Sequence, residues 1–134
     1  MTQLFVPAAT ALYAGLFAIL YCALSLRVVQ ARRAARVLLG VGGQPVLERR
    51  VRVHANFAEY VPLALVLMLL AELSGYPRWT LDGIGLVLLA GRCVHAFGVS
   101  QAPEDIRLRI GGMLATLVPI LTLGLMLLPV AFLF

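Results

Sequence analysis

Four long apolar runs follow one another along the chain, separated by short polar segments. The first is uncharged from Leu4 to Leu26 and continues into a basic stretch, so its predicted helix covers residues 4–36. The other predicted helices cover residues 46–73, 79–99 and 106–132. A helix needs about 20 mostly apolar residues to cross the hydrocarbon core of a membrane. We therefore predict an all-α fold, an integral membrane four-helix up-down bundle formed by residues 1–134 as one domain.

The connecting segments carry turn residues. Gly40 to Pro45 separates the first two helices, and Ser74 to Pro77 separates the second from the third. In the last connection Pro103 is followed by two acids, which is typical of a helix start. Connections this short favour antiparallel neighbours.

Composition supports a membrane protein and excludes an ordinary soluble domain. Hydrophobic residues make up 62% of the chain and charged residues only 13%. The net charge of +5 comes from arginine alone, and the arginines lie at the ends of apolar runs, which argues against nucleic-acid binding. Seven of the eleven flank or occupy the first loop. The positive-inside rule therefore places the first and third loops in the cytoplasm and both termini on the opposite side, in a bacterial inner membrane.

The second helix carries an unusual polar stripe. Arg52, Asn56 and Glu59 have the spacing i, i+4, i+7 and share one face, with Arg49 and Tyr60 at its edges. Charged groups inside a membrane are costly and usually face protein or water. The stripe therefore indicates a ligand or proton site, with structural glue or snorkelling side chains as the alternatives.

His54 lies on the opposite face of the same helix. A helix with polar groups on two faces is hard to satisfy within one small bundle, so we expect a second subunit to cover one of them. Glu59 is about 18 Å along the helix from Leu47, too deep for its short side chain to reach the surface. The two polar faces of this helix predict an oligomer, and the depth of Glu59 weighs against the alternative that its side chain snorkels to the surface.

Further basic residues are predicted at the same membrane level. They form a ring above Asn56, Glu59 and Tyr60, and comprise Arg32, Arg33, Arg36, Arg92, His95, Arg107 and Arg109. Guanidinium groups pair bidentately with carboxylates, so this ring suits a small anion with more than one carboxylate, or a phosphorylated headgroup. No metal site is predicted, since Cys22 and Cys93 lack metal-ligand spacing.

The segment Glu48 to Pro62 resembles the MAPEG family, the membrane-associated proteins in eicosanoid and glutathione metabolism. An arginine (Arg52) is followed by asparagine four residues on, glutamate three later and proline three beyond that. The basic run 31–36 and the segment 91–96 extend the resemblance to most of the chain. It implies a homotrimer that holds glutathione between neighbouring subunits, at the cytoplasmic half of the membrane.

The resemblance also implies residue roles. Arg52, Asn56, Glu59 and Tyr60 would line the glutathione site from one subunit, with His54 and Arg32 approaching it. Arg92 and His95 are further candidates for glutathione binding. Arg109 or Arg107 would stabilise the glutathione thiolate, a choice that the sequence leaves open.

These inferences predict a membrane-bound glutathione transferase or peroxidase-like enzyme that acts on lipophilic electrophiles from the bilayer. One alternative is a non-catalytic lipid-binding or scaffold member of the same family. A second is a small proton-coupled exporter, which is disfavoured because the first helix contains no acidic residue.

Overall fold

The computed structural model of the chain describes residues 6–132. Its helices are α1 (Ala8–Ala35), α2 (Pro45–Leu73), α3 (Arg78–Ser100) and α4 (Ile106–Leu127), followed by a short 3-10 helix at Pro129–Phe132. All four α-helices are long and apolar enough to span a membrane, and the described residues form no strand. The prediction of an all-helical fold with four spanning segments is confirmed.

The helix ends follow from local chemistry. The observed α2 and α3 begin one residue before their predicted starts, while residues 4 and 5 of the first predicted helix lie outside the described part. α1 ends where Arg36 adopts a left-handed conformation with φ of 54°. α4 ends at Leu127 instead of continuing to residue 132, because Pro129 has no backbone N–H to extend the helical ladder.

The start of α4 is fixed by a side-chain cap. Asp105 Oδ1 accepts hydrogen bonds from the backbone N–H groups of Arg107 at 3.0 Å and Leu108 at 3.1 Å. This is the arrangement that satisfies the free donors of a helix N-terminus. The acidic helix start predicted after Pro103 is therefore present, and it sets the position of Arg109 one turn later.

Glycines bring α3 and α4 into close contact. A Cβ atom on Gly98 would lie 2.7 Å from Leu108 Cβ, and one on Gly112 would lie 2.5 Å from the backbone nitrogen of His95. Small residues at such positions let helix backbones approach each other within a membrane. The close approach packs the His95 turn of α3 directly against α4.

Contacts at the helix ends show that the bundle is antiparallel. Glu72, near the end of α2, accepts hydrogen bonds from the backbone N–H groups of Ala9 at 2.9 Å and Thr10 at 2.8 Å, at the start of α1. At the other end Arg49 of α2 donates to the carbonyl oxygen of Gln101, just after α3. The loops 36–44 and 101–105 therefore lie together, and we call this end of the bundle the basic end.

Candidate anion-binding pocket

A pocket of about 290 Å³ opens at the basic end of the bundle. Its walls come from α2, the end of α3, the loop 101–105 and the first turn of α4. The lining residues are Pro45, Glu48, Arg49, Arg52, Asn56, His95, Val99, Glu104 and Arg109. Its volume is near the lower end of the range of small-molecule sites, roughly 300–1,000 Å³.

Three arginines give the pocket its positive charge. Arg49 is half-buried and donates to the Gln101 carbonyl oxygen, which fixes its guanidinium in the wall. Arg109 forms an ion pair with Glu104, with 2.8 Å between Nη1 and Oε1. Arg52 is exposed and has no ion pair with any residue in the described range. Two helices thus present guanidinium groups to one cavity, an arrangement suited to carboxylates.

A buried arginine lies behind the polar wall. Arg92 of α3 is only 1% exposed. It donates to Asn56 Oδ1 at 2.6 Å and contacts His95 Nδ1 at 3.0 Å, both through Nη2, and it donates to Thr116 Oγ1 at 3.1 Å through Nη1. These contacts join α2, α3 and α4, and two of the three partners, Asn56 and His95, line the pocket.

Two carboxylates in the pocket were missed by the sequence analysis as site residues. Glu48 appears there only as the first residue of the segment that resembles the MAPEG family, and Glu104 only as one of the two acids at a helix start. The signal was available for Glu48, because residues 48, 52 and 56 recur every four positions on one face of α2. Glu104 reaches the pocket through the loop geometry, which the sequence pattern does not contain.

The structure brings four of the predicted site residues to the pocket wall: Arg52, Asn56, His95 and Arg109. Arg92 lies directly behind them. Arg107 is exposed and does not line the pocket, although it is only two residues from Arg109. Of the two arginines between which the sequence left the choice open, only Arg109 lines the pocket.

His54 and Arg32 lie outside this pocket. His54 Nε2 lies 3.0 Å from Ser25 Oγ, and its ring is 4.9 Å from the ring of Tyr21, both on α1. Of the two polar faces of α2, the His54 face therefore has its partners on α1 of the same chain, and the expectation that a second subunit covers one polar face now applies to the face that carries Glu59. Arg32 donates to the carbonyl oxygen of Gly40 at 2.7 Å.

Within one chain, the residues of the predicted basic ring do not line a single pocket. Arg32 lines a separate depression together with Arg33 and Arg36. The physical reason is the turn at Arg36, after which the chain folds back onto the last turn of α1. Of the other residues of the predicted ring, His95 and Arg109 line the pocket, Arg92 is buried behind it, and Arg107 is exposed.

Glu59 and Tyr60 lie deeper along α2. Glu59 continues the stripe of Arg52 and Asn56, about 4.5 Å beyond Asn56 along the helix axis. It is exposed on the surface of the chain and has no hydrogen bond or ion pair within the described range, while Tyr60 is half-buried. An exposed carboxylate within a spanning helix is costly in contact with lipid. Glu59 thus marks the face of α2 that most needs a polar neighbour.

Four helices able to span a membrane, with a charged pocket at one end, define an integral membrane protein. The sequence profile of the MAPEG family matches residues 10–129. The chain belongs to the MAPEG family. It is 43% identical to the inner membrane protein YecN of Escherichia coli K12 over 107 residues, which cover 80% of each chain. The YecN protein of Escherichia coli O6:H1 matches to the same extent.

Proposed function

We propose that this protein is a membrane-bound glutathione-dependent transferase or peroxidase-like enzyme acting on lipophilic electrophiles. The observation that carries the proposal is the pocket at the basic end, in which three arginines and two carboxylates surround one cavity. Glutathione carries two carboxylates and one ammonium group, so both charge types in the pocket have a counterpart in the ligand. Family membership supports the same assignment.

The proposed chemistry uses the arginines in two ways. Arg52 pairs with a glutathione carboxylate, while Arg109 lies near the thiol and favours its anionic form, since a nearby guanidinium stabilises a thiolate. The thiolate then forms a carbon–sulfur bond with the electrophile, whose leaving group departs with the bonding electron pair. The lipophilic substrate enters laterally from the bilayer.

We also propose that the site is completed in a homotrimer. Glu59 supports this, because glutathione held between this face and a neighbouring subunit would give the exposed carboxylate a polar partner, the ammonium group of the ligand. His54 and Tyr60 then belong to the surroundings of the site. Arg32, which does not line the pocket of its own chain, would reach the pocket of a neighbour.

The proposed location is a bacterial inner membrane with the basic end in the cytoplasm and both termini on the other side. The arginines at the loops 36–44 and 101–105 support this orientation through the positive-inside rule. The relative from Escherichia coli is described as an inner membrane protein, which agrees with the proposed location.

The test uses full-length protein purified in detergent. Calorimetry should detect glutathione binding, and a chlorodinitrobenzene-type substrate should be conjugated with release of chloride. Absence of both binding and turnover would remove the enzymatic proposal.

One observation favours a second candidate, a non-catalytic lipid-binding or scaffold protein. An apolar groove of about 350 Å³ runs between α1 and α2, past Phe17, Tyr21 and Phe57, and could hold an acyl chain. A scaffold would form the same oligomer and bind lipid but would show no glutathione turnover. The turnover measurement therefore separates the two candidates.

A further inference from the structure

Arg92 constrains its neighbours because a guanidinium group can only donate hydrogen bonds. It remains protonated in proteins and has no acceptor atom. Asn56, His95 and Thr116 therefore each present an acceptor atom to Arg92, at 2.6, 3.0 and 3.1 Å respectively. The orientation of each side chain follows from this requirement.

For His95 the requirement fixes the tautomer. Nδ1 faces Arg92 Nη2 and must accept, so the neutral ring carries its proton on Nε2. Nε2 has no hydrogen-bond partner within the described range. It is not fully buried, so a ligand can contact it. Because the residue lines the pocket, this N–H group is the polar atom that His95 offers to a ligand.

For Asn56 the requirement fixes the amide orientation. Oδ1 accepts from Arg92, and a flipped amide would place its own donors against the guanidinium. The Nδ2 group is thus the part of the amide left for the pocket. Two neighbouring lining residues, on different helices, both offer donors.

We propose that Arg92 is a positioning residue that makes the inner wall of the pocket a surface of hydrogen-bond donors. This wall accepts a carboxylate and disfavours an ammonium group. A ligand with both groups therefore binds with a carboxylate against this wall and with its ammonium group pointing away from it. The ligand part rests on the proposed function, whereas the two side-chain orientations do not.

The side-chain orientations can be tested without any ligand. Nitrogen-15 NMR on histidine-labelled, detergent-purified full-length protein distinguishes a protonated from an unprotonated ring nitrogen. The variant His54→Gln assigns the two histidines. We expect His95 to be unprotonated at Nδ1 and protonated at Nε2. Protonation at Nδ1 would overturn the proposal. This measurement is made with Arg92 unchanged, so it does not depend on whether an Arg92 variant folds.

Two substitutions test whether Arg92 is the cause. Arg92→Met should change His95 to a mixture of tautomers, while Arg92→Lys, which keeps a charged donor, should restore the Nε2–H form in part. An unchanged tautomer in correctly folded Arg92→Met protein would show that Arg92 does not position the ring. If Arg92→Met acted only by loosening the packing, Arg92→Lys would not be expected to restore the Nε2–H tautomer of His95.

Glutathione titration provides the second readout. We expect it to shift the His95 Nε2 signal of the wild type, and Arg92→Met to weaken binding by about tenfold, a loss typical of a displaced hydrogen-bonding group. If glutathione fails to bind the wild type while the tautomer is as expected, the proposed function fails and the side-chain orientations stand. If glutathione binds with His95 protonated at Nδ1, the positioning role fails and the proposed function stands.

Discussion

At the scale of single residues, Arg107 and Arg109 form a matched pair for testing the thiolate role. They have the same side chain and lie two positions apart on α4, but only Arg109 lines the pocket. We expect Arg109→Ala to lower turnover about a hundredfold, the usual effect of removing a group that stabilises developing negative charge. Arg107→Ala should leave turnover nearly unchanged when both variants are assayed with a chlorodinitrobenzene-type substrate. The reverse ranking would assign the thiolate to Arg107.

Glu104 competes with an anionic ligand for Arg109. Its carboxylate lies 2.8 Å from the guanidinium, where a ligand anion would bind. Glu104→Gln should therefore raise glutathione affinity about two- to fivefold, the range expected for a partly exposed ion pair. The control is Asp82→Asn, which removes the ion pair with Arg78 outside the pocket. Calorimetry that gives equal affinity for Glu104→Gln and wild type would exclude this competition.

At the scale of helices, two adjacent glycines of α4 have opposite surroundings. A Cβ on Gly112 would lie 2.5 Å from the His95 backbone nitrogen, whereas a Cβ on Gly111 would meet nothing within 4 Å. Gly112→Ala should lower the free energy of unfolding by about 1–3 kcal/mol through overpacking, and weaken glutathione binding by moving His95. Gly111→Ala should be neutral or stabilising by up to about 1 kcal/mol, because alanine favours helix. Similar thermal unfolding midpoints for the two variants would contradict the close packing of α3 and α4.

Glu72 links α2 to the start of α1 at the end of the bundle opposite the pocket. It is 6% exposed and accepts the backbone N–H groups of Ala9 and Thr10. Glu72→Ala leaves those donors without their charged acceptor and should cost about 1.5–3 kcal/mol, seen as a lower unfolding midpoint in detergent. Glu48→Ala, at an exposed position near the start of α2, should have little effect on that midpoint. A midpoint unchanged in Glu72→Ala would mean that the cap does not stabilise the bundle.

Some of this architecture could be predicted from the sequence because it depends on local patterns. Apolar runs define the helices, and helical spacing places Arg52 and Asn56 on one face. The position of Arg32 could not be predicted, because it depends on where the loop after Arg36 folds back. The same holds for Glu104, since hydrophobic periodicity does not describe the path of a loop. Arg92 and His95 were recognised, but their shared contacts with Asn56 require the packing of three helices.

At the scale of the whole molecule, Glu59 and Arg32 bear on the assembly. Glu59 is exposed on a spanning helix, where a polar neighbour would relieve the cost of its charge. Arg32 lies outside the pocket of its own chain. A homotrimer in which Arg32 of one copy reaches the pocket of the next would account for both residues.

Mixing two variants tests this assembly. In a trimer whose three copies carry the same substitution, either Arg32→Ala or Arg52→Ala should reduce glutathione binding. Calorimetry measures the binding, and native mass spectrometry confirms the number of copies. In a three-fold ring, each mixed trimer regenerates one pocket with both arginines, so random co-assembly should restore about one site in four. Pockets completed within single copies would give no restored site, because every chain carries a substitution. We therefore expect glutathione binding to recover when the two variants are co-expressed, and not when separately assembled trimers are mixed. No recovery in co-expressed mixed trimers would rule out a pocket shared between neighbouring copies through Arg32.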